Sequence, residues 1–509
     1  MKFKIHKSLG LLALEALLAF APCMAESAFE WPQSSPLEAN IDAQMLADVS
    51  TRIQQGEYGA VRSFLVLRHG KLVHEEYFNG FGPDDLMEVF SVTKSVASAL
   101  VGVAQRRGDL PPLETTFSEL FPSYLATLNA NPGAGDIAFH DLLTQRHGFA
   151  WDEWSTFWNN PVNPAYQMMQ SDDWWRYVLE RPVTASPDTV FRYSTGVSNL
   201  MGLAFLEHTG QSAADYALQH LFPQLDITEA DIRVTGFGST PDSQQGIFPE
   251  GFTPTGHGLW LRARDLAKIG QLYLDRGVFQ DQRLFEQAWV EQSMLRYSDH
   301  VTDPQVFGEG IGYGYQWWVS DLDTPHGPVE VYRAWGFGDQ YIFVIPEFDI
   351  VIVTTAANWN DAGEDMRHAL QDVIANGIGV DFDPASDAGI TGPWASPNLP
   401  AQGFMLEVVP STGQVVLFWM TFDPETGEQM WLIGPSRMHG RRTVMEFLRP
   451  VGATFAGPQQ ADLQPWGEGT LEFTSCTTAR LSYRSEVQNV EGAFDMVRIT
   501  PNETCIDDG

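Results

Sequence analysis

Cysteine is scarce: there are three in 509 residues. No C-x-x-C and no H-E-x-x-H occurs, so the common zinc spacings are absent, and no metal or other cofactor is expected. Positive charge is scarce too, with 30 basic against 65 acidic residues and a formal net charge of −35. A chain this acidic repels phosphate backbones and anionic headgroups, which excludes nucleic-acid binding as a general role. Beyond the first 25 residues lysine is confined to Lys71, Lys94 and Lys268. No apolar run is long enough to span a membrane. The G-x-S-x-G of Ser-His-Asp hydrolases is missing as well.

Apolar and aromatic residues are plentiful. The chain is 44% hydrophobic, and its 32 Phe, 16 Trp and 14 Tyr offer ample surface to bury, which excludes disorder. Its length exceeds what one small core organises, so two domains, or one large and one small, are expected.

Residues 1–25 read as a secretory leader. Lys2, Lys4 and Lys7 precede the apolar run Leu11 to Ala21, and small residues flank a cut after Ala25. A lipidated Cys23 is the rival reading, and Pro22 fits it poorly. The expected location is secreted or periplasmic. Cys476 and Cys505 would then meet an oxidising compartment, where a disulfide between them is the natural reading.

The remaining chain divides by pattern. Ile41 to Gln55 suits an amphipathic helix, and Ser63 to Leu67 with Leu72 to Phe78 suits a hairpin around His69-Gly70. Val96 to Ala104 is a small, apolar, unbroken stretch expected as a buried helix ending near Gly108. Helices dominate the middle, including Asn199 to Gly210 and Leu261 to Leu274. Strands return at Tyr313 to Val319, Val329 to Tyr332, Tyr341 to Ile345 and Ile350 to Thr354, and Asp361 to Ile374 suits a last helix. Strands at both ends predict one sheet with a helical insertion, over residues 26–380. Residues 381–402 are rich in Pro, Gly, Ser and Asp and read as a linker. Residues 403–509 read as a separate all-β module whose partner the residues do not name.

Ser91-Val92-Thr93-Lys94 places a hydroxyl and an amine on one face at the mouth of the buried helix. A hydroxyl is a poor nucleophile until a base takes its proton, and a desolvated lysine can do so. A lysine in an apolar helix wall is costly without a role. Tyr193 stands on a turn before the Asn199 helix and could move a proton if cations lower its pKa. Ala334-Trp335-Gly336-Phe337-Gly338 is a glycine-bearing strand end that lets a substrate lie against the backbone. His257 in Gly256-His257-Gly258 borders the site or is structural. The Trp151, Trp154, Trp158, Trp174 and Trp175 cluster could wall an apolar pocket or fill a helical core.

Taken in order, these stretches resemble the serine β-lactamase and penicillin-binding superfamily. The resemblance is nearest to class C-like hydrolases, including esterases and 6-aminohexanoate-dimer hydrolases. It extends over about residues 45–376 and includes His140 to Thr144, Gly148 to Glu153 and Gly312 to Trp318. It implies an α/β (α+β) fold with an antiparallel sheet, flanking helices and a helical subdomain. It also implies Ser91 as nucleophile, Lys94 as its proton partner, and Tyr193 as the shuttle to the leaving group. The N–H groups of Ser91 and Phe337 would form the oxyanion hole, with Gly336, Gly338, Trp335 and Thr195 near the substrate.

Two departures stand out: Thr195 replaces a common Asn, and Ala334 replaces the cation that faces a substrate carboxylate. Arg333, next along the strand, should point away if Ala334 points in. A small ester or amide is therefore the expected substrate. A true β-lactamase or D-peptidase, or a binding protein on a retired hydrolase fold, is the alternative.

Overall fold

The computed structural model describes residues 29–227, 233–234, 252–298, 311–324, 327–359, 366, 370, 373, 390–399, 401–409, 414–438, 442–452, 462–473 and 477–500. The expected leader, both cysteines of the expected disulfide and most of the helix expected at Asp361 to Ile374 lie outside these residues. The described residues from Trp31 onward belong to one unit.

Helix α1 spans Ala43–Gln54, where Asp42 caps the first turn by accepting from Gln44 and Met45 N–H, a device worth about 1 kcal/mol. Strands β1 (Val61–Arg68) and β2 (Lys71–Tyr77) form the expected hairpin, with His69 in the left-handed region. Helix α2 follows at Val92–Arg107, buried over its first thirteen residues. Helices α3 (Thr195–Ser198), α4 (Leu200–Thr209) and α5 (Ala263–Leu274) lie in the middle of the chain. Strands β3 (Gly312–Tyr313), β4 (Trp318–Thr324), β5 (Gly327–Gly336), β6 (Gln340–Ile345) and β7 (Ile350–Ala356) complete the sheet.

The order is β2-β1-β7-β6-β5-β4-β3, so strands from both ends of the segment meet at the β1–β7 pair. The two faces are covered differently. Phe64, Phe343 and Ile352 share a core with Leu46, Val49 and Ile53 of α1 and with Met366, Leu370 and Val373. On the other face Val351 and Ile342 lie against Gly270 of α5, close enough to exclude any larger residue there.

The single strand expected at Tyr313 to Val319 is broken in two. Gln316 turns to φ 63 between β3 and β4 and buries its side chain completely. Its Nε2 donates to the carbonyls of Leu142 and Leu143, and its Oε1 accepts from Ser198. Ser95 of α2 donates to its carbonyl oxygen at 2.7 Å. Tertiary hydrogen bonds override the strand pattern there and tie α2 to α3.

The C-terminal module is a closed antiparallel barrel of eight strands, β8 to β15. In order these are Gly392–Ala395, Gly403–Val409, Gln414–Phe422, Gln429–Arg437, Arg442–Val451, Asp462–Phe473, Thr478–Ser485 and Val490–Arg498. Strand β8 lies inside the stretch that composition reads as linker. Trp394 is wholly buried there, donates from Nε1 to Ile390 O at 3.0 Å, and seats β8 between β9 and β15. One tryptophan filling the barrel outweighs the flexible residues around it.

The barrel also touches the sheet domain through charges. Arg442 reaches Asp275, at the end of α5, at 3.0 Å; Arg283 pairs with Glu468; Arg276 donates to Arg437 O at 2.6 Å.

Candidate active site

Ser91 occupies the N-cap position of α2. Phe90 before it stands at φ 46, a left-handed conformation that a bulky residue adopts only under constraint. The constraint is visible: Val89 N–H donates to Leu259 O, and strand β5 ends against the same segment. A Cβ on Gly336 would stand 2.3 Å from Val89 O, so only glycine brings the end of β5 this close to the serine.

Lys94, one turn into α2, is 1% exposed. Its Nζ lies 2.9 Å from Ser91 Oγ, 3.1 Å from Thr195 Oγ1 and 2.6 Å from Gly256 O. Burial pulls its pKa down to about 8, and the Glu153 carboxylate opposes that fall. In its neutral form the amine has two N–H donors and one lone pair, which suits two acceptors and a hydroxyl able to give up its proton.

Tyr193 lies on the other side. Its ring centroid is 4.9 Å from Lys94 Nζ and 5.4 Å from the stacked Trp318 ring. Burial first, and Glu153 second, push its hydroxyl well above the ordinary phenol value, while a hydrogen bond with Ser91 acts the other way. The expectation that cations would lower this pKa is therefore corrected: Tyr193 remains a neutral phenol.

Thr195 links Lys94 to Glu153. Its hydroxyl donates to Glu153 Oε1 at 2.8 Å, and its N–H donates to Oε2 at 2.8 Å. Trp151 Nε1 completes the carboxylate's set at 2.6 Å. Glu153 stands in the sequence only as the last residue of a family-like stretch. An acid set among tryptophans was the available signal, because a carboxylate there needs several donors.

The strand residues fall into place by register. Ala334 pairs with Ile342, which packs on α5, whereas Arg333 pairs with Phe343 and Trp318. Side chains opposite each other share a face, so Ala334 and Arg333 point to opposite sides of the sheet. Trp335 stacks near Trp154 at 6.1 Å, and the Phe337 ring is 5.8 Å from Phe90. Gly338 and Asp339 turn the chain at φ 77 and 68, held by Gln340 Nε2, which donates to Gly338 O and Ala356 O.

The tryptophan cluster divides. Trp174 and Trp175 are core, whereas Trp154 is 43% exposed beside Tyr193. His257 is 1% exposed and stacked on Trp174 at 5.6 Å; burial and then Lys94's charge drive its pKa down to about 3. It is a neutral ring beneath the lysine. Among the described residues His140, Asp141 and Asp188 bring ligand atoms together. Arg146 already pairs with Asp188 at 2.8 Å, and Asp141 accepts from Ala138 N–H.

Known proteins share this arrangement of sheet and helices. The beta-lactamase family profile matches residues 38–376. The chain is similar to the 6-aminohexanoate-dimer hydrolase of Paenarthrobacter ureafaciens, 27% identical over 366 residues, spanning 68% of this chain and 83% of that protein. Among solved structures, EstCE1, a hydrolase with promiscuous acyltransferase activity, superposes with a TM-score of 0.52 at 14% identity, covering 67% of this chain and 99% of its own. A family VIII carboxylesterase gives 0.51 at 14%, covering 68% and 99%.

Proposed function

The chain belongs to the beta-lactamase family, and from that premise we propose that it hydrolyses small esters or amides through an acyl-enzyme on Ser91. The observation that carries the reading is the Lys94 amine, buried and 2.9 Å from Ser91 Oγ. In the acylation step neutral Lys94 takes the Ser91 proton as Oγ attacks the substrate carbonyl. The N–H groups of Ser91 and Phe337 hold the oxyanion. The carbon–heteroatom bond then breaks, and the leaving group collects a proton through Tyr193, whose phenol is replenished from Lys94. Water reverses the sequence, giving acid and free Ser91.

Ester cleavage without a required carboxylate is favoured by Ala334. A well-made charged contact is worth about 1.5–3 kcal/mol, so its loss costs tenfold or more in affinity. We also infer export, supported by the basic and apolar leader over residues 1–25. Among the described residues no helix is long and apolar enough to cross a membrane.

The test is covalent labelling. A fluorophosphonate should add to Ser91, and Ser91→Ala should lose three or more orders of magnitude in rate with its fold intact. A folded Ser91→Ala protein that keeps its activity would mark the serine as incidental.

A further inference from the structure

We propose that Trp154 and Phe157 form, with Trp335 and Phe337, a slot that selects esters carrying a neutral aromatic group next to the scissile carbonyl. The assignment rests on Ser91 being the acylating residue.

Trp154 and Phe157 are 43% and 54% exposed, a large apolar presentation in so acidic a chain. They are not on a loose loop. Asp152 Oδ1 accepts from the N–H of Trp154 and Ser155 at 3.2 and 3.0 Å. Asn163, wholly buried, donates to Glu153 O and Thr156 O at 3.0 and 2.9 Å. The rings are thus presented in a set position before any ligand arrives.

Their ring contacts lead to the residues beside the serine. Trp154 is 5.3 Å from the Tyr193 ring and 6.1 Å from Trp335, and the Tyr193 ring lies 4.9 Å from the Lys94 amine that bonds Ser91. Phe157 lies edge-on to Phe337 at 6.3 Å, and Phe337 meets Phe90, the residue before Ser91. A group entering between the two pairs meets ring faces and edges on both sides.

Charge then sets the class. All three groups within hydrogen-bond reach of Lys94 Nζ belong to the protein, and the residue is buried, so it offers nothing to an anionic substrate group. Ala334 carries no charge, and the Glu153 carboxylate lies behind Thr195. Trp154 and Trp335 lie nearly parallel, at 19°, and so present ring faces in one orientation to a planar group. A neutral planar ring fits the edges and faces that remain, and it gains more from aromatic partners than a saturated ring of equal size.

The test compares ethyl phenylacetate, ethyl cyclohexylacetate and ethyl butyrate, measured as kcat/KM. The wild-type protein should favour phenylacetate over cyclohexylacetate by roughly threefold to tenfold. Trp154→Leu and Phe157→Leu keep apolar bulk and should bring that ratio toward one, while Trp154→Phe should keep most of it. A wild-type ratio near one overturns the slot, as does an equal loss on both esters in the leucine variants. Turnover and Ser91 labelling without an aryl preference overturn this assignment alone. No turnover of any ester, with no fluorophosphonate adduct on Ser91, overturns the acyl-serine reading and the slot with it.

Discussion

Glu153 reaches Lys94 through a single hydroxyl: Thr195 Oγ1 donates to Glu153 Oε1 at 2.8 Å and accepts from Lys94 Nζ at 3.1 Å. The carboxylate holds the lysine's pKa up against burial, and the balance stands at about 8. If neutral Lys94 is the base, kcat/KM should rise with pH through that value and level off above it. Glu153→Gln removes the supporting charge, so the rising limb should move to lower pH. A limb that stays in place, or moves up, would separate Glu153 from the lysine's ionisation.

Lys94 lies 2.9 Å from Ser91 Oγ and 4.9 Å from the Tyr193 ring, so if the two act as one proton-transfer unit their losses should not add. Lys94→Ala and Tyr193→Phe should each cost about 10² or more in kcat, and the double variant little beyond that. Strictly additive losses, read from single-turnover kinetics, would mean that the two groups act separately.

Carboxylate-bearing β-lactams should be poor substrates. Ala334 carries no charge, and its neighbour Arg333 is buried, at 2% exposed. p-Nitrophenyl butyrate should exceed a cephalosporin in kcat/KM by at least tenfold. A cephalosporin that matched it would place a cation on the substrate's carboxylate after all.

Asp275 and Arg442 join the barrel to the sheet domain, and Asp275's carboxyl is pushed up to about 6 by burial, with Arg442 holding it back. Arg442→Ala strands that carboxylate and should destabilise the protein by about 3 kcal/mol at pH 8 in urea unfolding. A carboxyl with a raised native pKa costs stability above that pKa and recovers it as pH falls through it. The deficit should therefore shrink toward pH 5, and Asp275→Asn in the same chain should remove most of it. A deficit that is flat with pH would place the loss in packing by the Arg442 stem.

Ser91 and Lys94 were legible because one helical turn brings them together whatever the rest of the chain does. The hairpin at His69-Gly70 and the alternating barrel strands were legible for the same reason: their periodicity is local. Glu153 was not, since its three donors come from Trp151 and from Thr195, on a helix distant in sequence. Nor could spacing say that Trp174 and Trp175 are core while Trp154 fronts the site, or that Trp394 draws a linker-like stretch into the barrel. The chain by itself determined the placing of Ser91 and Lys94 on one helical turn, the excess of acidic residues and the change from mixed to all-β architecture, each a matter of neighbours within a few residues or of composition. Only the tertiary structure decided the proton affinities of Lys94 and Tyr193 and the aromatic walls around them. Those depend on burial and on charges carried in from remote elements, which no local pattern encodes.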